Sequence, residues 1–203
     1  MTDSLQALTQ QFDLAKGKLP PVHQWNPSLS GDMDLVIKSN GEWVHEGGLI
    51  KRKSLVRLFS SILKKEGDEY FLATPVEKWR IQVEDRALHV LSLAEGESGL
   101  CAILSDGHSL ALDGDSKLQL SAIADSATVK ALESSNETDV ESEDLTGNIE
   151  ECSGDAIAEV YVRDGLWARF TRNAWYELVN NIEERGVGLA VRSGQELIDI
   201  EAS

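Results

Sequence analysis

The stretch from Asp155 to Ile200 decides the fold, and it reads DAIAEVYVRDGLWARFTRNAWYELVNNIEERGVGLAVRSGQELIDI. Both of its ends alternate apolar and polar residues around turn residues, which predicts β-hairpins. Its centre carries apolar residues at helical spacing, which predicts one amphipathic helix. Because a helix face between pairs of strands needs a sheet to pack on, the stretch is a ββαββ unit of the α+β class.

An earlier stretch, residues 33–83, has the same order of elements. Strands at Asp34–Lys38 and Glu42–His45 flank Ser39-Asn40-Gly41, in which Asn-Gly is typical of a type I′ hairpin turn. The helix face that follows consists of Leu55, Leu58, Phe59, Ile62 and Leu63, with Gly67 as its expected C-terminal cap. Two further strands, at 69–72 and 77–83, complete the unit.

We predict that these two stretches are copies of one unit. Gly41-Glu42-Trp43 matches Gly165-Leu166-Trp167, and the helices then match with about five fewer residues between tryptophan and helix in the second copy. Further along, Glu77 falls opposite Glu196. The alternative is that two generic ββαββ segments look alike.

The domain prediction follows from this duplicated core. Residues 1–19 form an N-terminal helix, residues 20–86 an N-terminal α+β domain with the first copy, and residues 87–203 a β-rich C-terminal domain with the second copy. A proline-rich arm, LPPVHQWNPSLSG, opens the N-terminal domain in an extended conformation.

Between the copies, four short strands are predicted at 88–93, 100–104, 109–112 and 117–120, with hairpin turns at Asp106-Gly107 and Asp113-Gly114. With the second copy they would form a strongly bent antiparallel sheet. Residues 133–155 contain nine acidic groups and no basic one. This composition predicts a mobile loop, with a partner-binding acidic tail as the alternative.

The charge of the chain restricts its partners. The formal net charge is -16, from 19 Lys and Arg against 35 Asp and Glu. Such a balance argues against binding to nucleic acid or to an anionic membrane surface, because both depend on basic side chains. The sequence contains no apolar run near the ~18 residues of a membrane span and no secretory signal pattern, so we expect a cytoplasmic protein.

Motifs for catalysis and metal binding are missing from the sequence. It has no phosphate-binding loop, no dinucleotide fingerprint, no nucleophile elbow and no paired-histidine zinc motif. Its four histidines have no second ligand at metal-binding spacing. We therefore expect no metal, no cofactor and, on balance, no enzyme.

Basic residues at the start of both predicted helices are the more informative feature. Lys51, Arg52 and Lys53 precede the first helix, and Arg169 and Arg172 precede the second. Cations are locally unfavourable there, because a helix N-terminus already carries partial positive charge. An anion bound where helix amides and arginines converge would explain them. The alternative is that they lie along the surface or pair with carboxylates such as Glu42 or Glu77.

A second candidate is the segment Thr74-Pro75-Val76-Glu77. Glu77 opens a strand, and it could pair with an arginine across the two copies or contact a ligand. Trp43 and Trp167 occupy equivalent places in the two copies, where they serve either as core residues or as platforms for ligand stacking.

Several sequence blocks together resemble a known family. They are PPVHQWNP, DMDLVIKSNGEWVHEGG, RKSLVRLFSSIL, FLATPVEKWRIQVED and, in the second copy, DGLWARFTRNAWYELV. This pattern over residues 20–200 resembles an uncharacterised bacterial family, the domain-of-unknown-function family 1285. The chain departs from it in two places, since it lacks the proline expected before the first helix and has Arg86-Ala87 where the family has a small residue and proline.

The resemblance implies a two-domain protein with a duplicated core, whose C-terminal domain is similar to pleckstrin-homology-like folds. It also implies a groove between the domains for a nucleotide-like ligand, a role in signal transduction, and no known activity. The positions that match the family blocks, and are therefore candidate ligand contacts, are Trp25, Trp43, Arg52, Arg57, Thr74, Glu77, Trp167, Arg169 and Arg172.

The leading hypothesis is a small-anion-binding module for a nucleotide-like molecule or phosphorylated metabolite. The ligand would lie between the two copies, with Arg52, Arg169 and Arg172 on its charge and Trp43 or Trp167 against its flat part. One alternative is a protein–protein interaction adaptor without a small ligand. The other is a hydrolase that uses Glu77 as its base.

Overall fold

The computed structural model of the protein describes residues 19–120, 158–185 and 188–202, and it has an α+β architecture that is mostly sheet. The first sheet has six strands: β1 (Leu29–Ile37), β2 (Trp43–His45), β3 (Gly48–Leu49), β4 (Leu63–Glu66), β5 (Glu69–Ala73) and β6 (Lys78–Val83). The second sheet has nine strands: β7 (Leu88–Glu95), β8 (Leu100–Leu104), β9 (Ser109–Ala111), β10 (Leu118–Leu120), β11 (Ala158–Arg163), β12 (Leu166–Phe170), β13 (Ile182–Arg185), β14 (Gly188–Ser193) and β15 (Glu196–Ala202).

In the described part of the chain, two α-helices accompany the sheets. Helix α1 (Lys53–Ser61) follows β3, and helix α2 (Arg172–Val179) follows β12. Among the described residues, neither helix is long and apolar enough to cross a membrane. The predicted N-terminal helix and the acidic segment 133–155 lie outside the described residues.

The six-stranded sheet has the order β3-β2-β1-β6-β5-β4, with β1 and β6 parallel and the other neighbours antiparallel. Part of the nine-stranded sheet has the order β12-β11-β10-β15-β14-β13, with β10 and β15 parallel and the other neighbours antiparallel. The two six-strand arrangements therefore share their order and their pairing directions. Strands β7, β8 and β9 extend the second arrangement beyond β12.

This arrangement changes the expected correspondence between the two stretches. Two-residue turns connect β2 to β3 through Glu46-Gly47 and β11 to β12 through Asp164-Gly165, and all four of these residues have positive φ. By strand order, Gly165 therefore corresponds to Gly47 and not to Gly41, which lies in the connection between β1 and β2. Helix α1 follows its turn after nearly the same number of residues as α2, so the five-residue gap of the sequence match disappears.

The first predicted helix is too long. Helix α1 ends at Ser61, Leu63 begins strand β4, and Gly67 lies in the turn between β4 and β5 with φ +59°. Ile62 and Leu63 continue the helical spacing by coincidence, because Leu63 is opposite Leu72 in an antiparallel pair. Helix α2 ends at Val179 in the same way, and β13 follows it.

Three local predictions also differ from the structure. The proline-rich arm contains a 3-10 helix at Val22–Gln24. Asn40-Gly41 does not form a type I′ turn, because the backbone of Asn40 has no positive φ. Asp113-Gly114 is not a hairpin turn, because β9 lies at the edge of its sheet while β10 pairs with β11 and β15. The Asp106-Gly107 turn does join the antiparallel pair β8 and β9.

The hydrophobic core has two clusters, and the first one crosses between the sheets. Phe59 of α1 and Ile62, the residue after that helix, pack with Leu35 and Trp43 on the six-stranded sheet, and Leu166 from β12 belongs to the same cluster. The second cluster packs Trp175 and Leu178 of α2 among the apolar residues of the nine-stranded sheet. Because Leu166 is fully buried among residues of the first sheet, the two sheets share apolar packing at their junction.

Candidate functional site

A groove of about 600 Å³ lies where the two sheets meet, and we call it the inter-sheet groove. One side comes from the β1–β2 connection, from the residues around β3, and from the first turns of α1. The other side comes from β7, β8 and the turn after β8. Its lining residues are Gly41, Glu42, Trp43, Leu49, Ile50, Lys53, Ser54, Val56, Arg57, Leu91, Ile103, Leu104, Ser105, Asp106 and Gly107.

Apolar side chains form most of the groove walls. Leu49 lines one side of the groove and Leu91 lines the other. Their exposed fractions, 45% and 47%, are high for leucine. Val56 and Ile103 lie deeper. Trp43 is almost fully buried behind them and stacks on Phe59, with 6.2 Å between the ring centroids. The groove can therefore cover an apolar ligand surface.

Among the residues that the structure describes, four charged side chains line the groove, two of each sign. Arg57 donates a hydrogen bond to the Gly107 carbonyl, so helix α1 is tied to the β8–β9 turn. Lys53 is exposed, and in the described part of the chain no carboxylate lies within ion-pair distance of it. Glu42 is also exposed and accepts a hydrogen bond from the Asn40 side chain at 3.1 Å.

Asp106 is the buried carboxylate of the lining. One of its oxygens lies 2.9 Å from Nδ1 of His108, and the other accepts the His108 backbone N–H at 3.0 Å. Burial alone would raise the pKa of Asp106, but the hydrogen bonds from His108 lower it more, so the pKa lies below its usual value. Asp106 therefore stays ionised and contributes negative charge to the groove.

A buried histidine supports the groove from behind. His89 on β7 is only 7% exposed, and its Nδ1 has no hydrogen-bond partner among the described residues. A Cβ atom on Gly41 would lie 3.2 Å from this nitrogen. Burial lowers the pKa of His89, and Arg169 lowers it further, while Asp85 and a hydrogen bond with the Ser39 backbone act in the opposite direction.

Trp43 and Arg57 are the two sequence-predicted site residues that line the groove. Arg52 immediately precedes α1 and is exposed, but its side chain makes no capping hydrogen bond and does not line the groove. Trp25 is half-buried against the first core cluster, and its carbonyl accepts a hydrogen bond from Lys64 at 2.8 Å.

Arg169 lies on strand β12 rather than at the start of a helix. Its guanidinium is 2.6 Å from the Asp85 carboxylate and 3.2 Å from that of Glu159, so its charge is already neutralised within the protein. Pairing with carboxylates was the alternative that the sequence left open for the basic residues, although these two partners were not foreseen.

Arg172 and Trp167 lie on the second half of the molecule, and neither lines the groove. Arg172 begins α2, donates to the Tyr176 hydroxyl at 3.3 Å and lies over the Tyr176 ring. Trp167 is half-buried and contacts Tyr161 edge to face, with 5.4 Å between the ring centroids.

Thr74 and Glu77 form a turn that joins β5 to β6. The buried Thr74 hydroxyl accepts hydrogen bonds from the backbone N–H groups of Val76 and Glu77, at 3.3 and 3.0 Å. Glu77 does not line the groove, and its Oε2 atom is buried with no hydrogen-bond partner in the described part of the chain.

Sequence reasoning missed the half of the groove that comes from the second sheet. Leu91, Ile103 and Asp106 were assigned to strands and a turn but not to a site. The sequence shows the turn as Asp106-Gly107, but it does not show that this turn lies against helix α1. That approach depends on a contact between residues 57 and 107, which no local pattern reports.

The chain is similar to members of one known protein family. Residues 20–86 match the model of the N-terminal domain of a domain of unknown function, DUF1285. The resemblance to the DUF1285 family is confirmed. A solved DUF1285 family protein from Silicibacter pomeroyi DSS-3 is 29% identical, with a TM-score of 0.66 over 90% of this chain and 87% of that chain.

A second DUF1285 family structure, from Shewanella baltica OS155, is 24% identical, with a TM-score of 0.47 over 73% of this chain and 91% of that chain. No curated protein matches the chain. The groove residues from Gly41 to Arg57 lie inside the DUF1285 domain match, and those from Leu91 to Gly107 lie outside it.

Proposed function

We propose that this protein is a cytoplasmic binding module for a small anionic ligand, which lies in the inter-sheet groove. The observation that carries the proposal is the groove itself, because both sheets contribute to its lining. Its volume falls in the range of ~300–1,000 Å³ that is typical of small-molecule sites. Its apolar walls and few charged groups are also typical of such sites.

Helix α1 supports the part of the proposal that makes the ligand an anion. Lys53 and Arg57 bring two cations to the groove, and Lys53 and Ser54 are the first helical residues, whose N–H groups have no acceptor within the helix. This replaces the earlier set of anion contacts, since Arg52, Arg169 and Arg172 do not line the groove.

A regulatory role belongs to the same proposal and is supported by two points. The DUF1285 resemblance implies signal transduction, and the groove contains none of the catalytic motifs sought in the sequence. A ligand that contacts both sheets would also change the stability of their junction, and a binding event would be transmitted in this way.

The duplicated core is also part of the proposal. The two six-strand arrangements have the same order, the same parallel pair at their centre and the same kind of turn before their helices, which supports descent from one unit. The pleckstrin-homology-like character of the C-terminal part rests on the family resemblance alone.

The test is a matched pair of groove-filling and control variants. Leu91→Trp places a large ring at the groove wall, and Leu29→Trp makes the same change at a leucine that is 44% exposed and does not line the groove. Isothermal titration calorimetry with nucleotides, phosphorylated metabolites and carboxylates should find a ligand whose affinity falls about tenfold or more in Leu91→Trp and stays within twofold in Leu29→Trp.

Equal binding by both variants would contradict a site in the groove. Absence of binding by every compound would contradict the proposal and favour the adaptor alternative, which needs no small ligand. The hydrolase alternative receives no support from the groove, because Glu77 does not contribute to its lining.

A further inference from the structure

We infer that the inter-sheet groove takes an amphipathic ligand with a single negative charge, an apolar body bearing one carboxylate, rather than a nucleoside diphosphate or triphosphate. This inference rests on the proposed function and narrows the class of its ligand. The charge balance of the lining, the geometry of its two glycines and the exposure of its apolar residues carry it independently of one another.

The charge balance argues against a polyphosphate. The groove is lined by two cations, Lys53 and Arg57, and by two carboxylates, Glu42 and Asp106. Arg57 already donates to the Gly107 carbonyl, and Asp106 stays ionised. The guanidinium of Arg57 keeps its charge in that hydrogen bond, so the two cations and the two carboxylates cancel, and a ligand with three or four negative charges would meet no net positive charge in this lining.

The glycines of the lining do not form a phosphate cradle. Phosphate sites often use glycine because the backbone must approach the ligand closely. Here a Cβ on Gly41 would lie 3.2 Å from the His89 ring, and a Cβ on Gly107 would lie 3.2 Å from the Arg57 guanidinium. Internal packing therefore explains both glycines, and neither indicates a bound phosphate.

The apolar residues of the lining indicate the chemical character of the uncharged part of the ligand. Leu49 and Leu91 leave nearly half of their surface exposed at the groove, and Ile50, Val56 and Ile103 line it more deeply. Exposed leucines on both sides of one groove favour an apolar occupant that contacts both. Lys53 lies three residues before Val56 on helix α1, and both line the groove, so one helix offers a cation and an apolar side chain to the same ligand.

The experiment compares three probes by isothermal titration calorimetry of the full chain: 2-naphthoate, the neutral 2-naphthalenemethanol, and ADP. We expect 2-naphthoate to bind at least about tenfold more tightly than ADP. Lys53→Ala should weaken 2-naphthoate about five- to tenfold, the effect of losing one charge-assisted hydrogen bond that is partly screened by water. The same variant should leave 2-naphthalenemethanol within about twofold.

Lys51→Ala serves as the matched control, because Lys51 is exposed two residues earlier and does not line the groove. Glu42→Gln tests the repulsion between the lining carboxylates and a polyphosphate. It should strengthen ADP binding about two- to fivefold, since it removes one negative charge from the groove. A retained affinity for 2-naphthoate in Lys53→Ala would overturn the inference.

The outcomes separate the two proposals. Tighter binding of ADP than of 2-naphthoate, lost in Leu91→Trp, overturns the inference about ligand class and supports the groove as an anion site. Binding of none of the probes by a protein with the native thermal transition overturns both.

Discussion

Glu159 is a buried carboxylate whose negative charge is balanced by neighbouring basic side chains. It is 2% exposed, yet its carboxylate accepts hydrogen bonds from Arg86 and from the Gln119 amide and lies 3.2 Å from Arg169. Burial raises the pKa of Glu159, but the bonds from Arg86 and Gln119 lower it more, so the carboxylate is stabilised in its ionised form. Asp85 completes the set by pairing with Arg169.

Glu159→Gln should therefore destabilise the protein by about 2–3 kcal/mol at pH 7, because it leaves two arginines without their shared partner. The folded pKa is lower than the unfolded value of about 4.3, so this stabilisation is complete above that pH and is lost as the pH falls through the folded pKa. Urea unfolding at a series of pH values from 7 to 2 should show that the stability difference between the two proteins holds down to about pH 4 and shrinks only below it.

Glu84→Gln is the control for that measurement, since Glu84 forms an exposed ion pair with Lys38 and its loss should change the unfolding free energy little. A Glu159 variant as stable as the wild type at pH 7 would contradict the role assigned to the buried carboxylate.

His89 sets a second pH dependence. Burial lowers its pKa in the folded protein, so the unfolded chain, with a histidine pKa of about 6.5, binds the proton more readily. Stability is therefore fully present above about pH 6.5 and falls as the pH decreases below it, by at most about 1.4 kcal/mol per pH unit for one proton.

His89→Gln should remove that slope between pH 7 and pH 5.5, whatever its effect on stability at neutral pH. The measurement is the free energy of unfolding in urea at several pH values, compared with His23→Gln at an exposed position. An unchanged slope in the His89 variant would show that another group titrates.

The two short turns before the helices illustrate how an element is fixed by backbone geometry. Glu46 and Asp164 both have φ near +50°, a region that side-chain-bearing residues rarely adopt, and each precedes a glycine with positive φ. The pair is the type I′ geometry, which matches the twist of a hairpin. Asn is tolerated better than Glu at the first position, because its short side chain bonds locally in this region.

Glu46→Asn should therefore stabilise the protein by about 0.5 kcal/mol, as measured by urea unfolding at pH 7. Glu97→Asn makes the same change at an exposed residue without positive φ, and it should have no such effect. A loss of stability in Glu46→Asn larger than in Glu97→Asn would contradict the turn assignment.

The elements that alternation defines could be predicted from the sequence, and the ends of the helices could not. Strand β6 follows residues whose polar and apolar positions alternate clearly, whereas β5 and β8 are short apolar runs bounded by turn residues. Helix α1 was extended to Gly67 because Ile62 and Leu63 fit a helical face as well as a strand, and the pairing of Leu63 with Leu72 decides between them. That pairing involves tertiary contacts that a single segment does not show.

The two halves of the molecule are joined by contacts between residues far apart in the chain. Arg163 on β11 donates to the carbonyl of Ser60, in the last turn of α1, at 2.6 Å and to that of Leu63, the first residue of β4, at 3.1 Å. Arg57 of the same helix donates to Gly107, and Leu166 enters the first core cluster. Helix α1 is thus held from both sheets, which also fixes the groove beside it.

The site could be predicted only where it depends on the first half of the chain. Trp43, Arg57 and the basic start of α1 were visible as motifs, and they do line or flank the groove. The convergence of Arg169 and Arg172 on the same place was inferred from an apparent match of helix starts. The strand position of Arg169 and its two carboxylate partners remove that basis.

The most direct test of the central claim is to locate the ligand by ¹H–¹⁵N NMR, in separate titrations with 2-naphthoate and ADP. Binding in the inter-sheet groove predicts saturable shifts at the amides of Ser54, Leu91 and Ser105, which come from both sheets, and little change at Glu77 or Arg172. Shifts centred on Glu77 or Arg172, or none with either compound, would contradict a ligand site between the sheets.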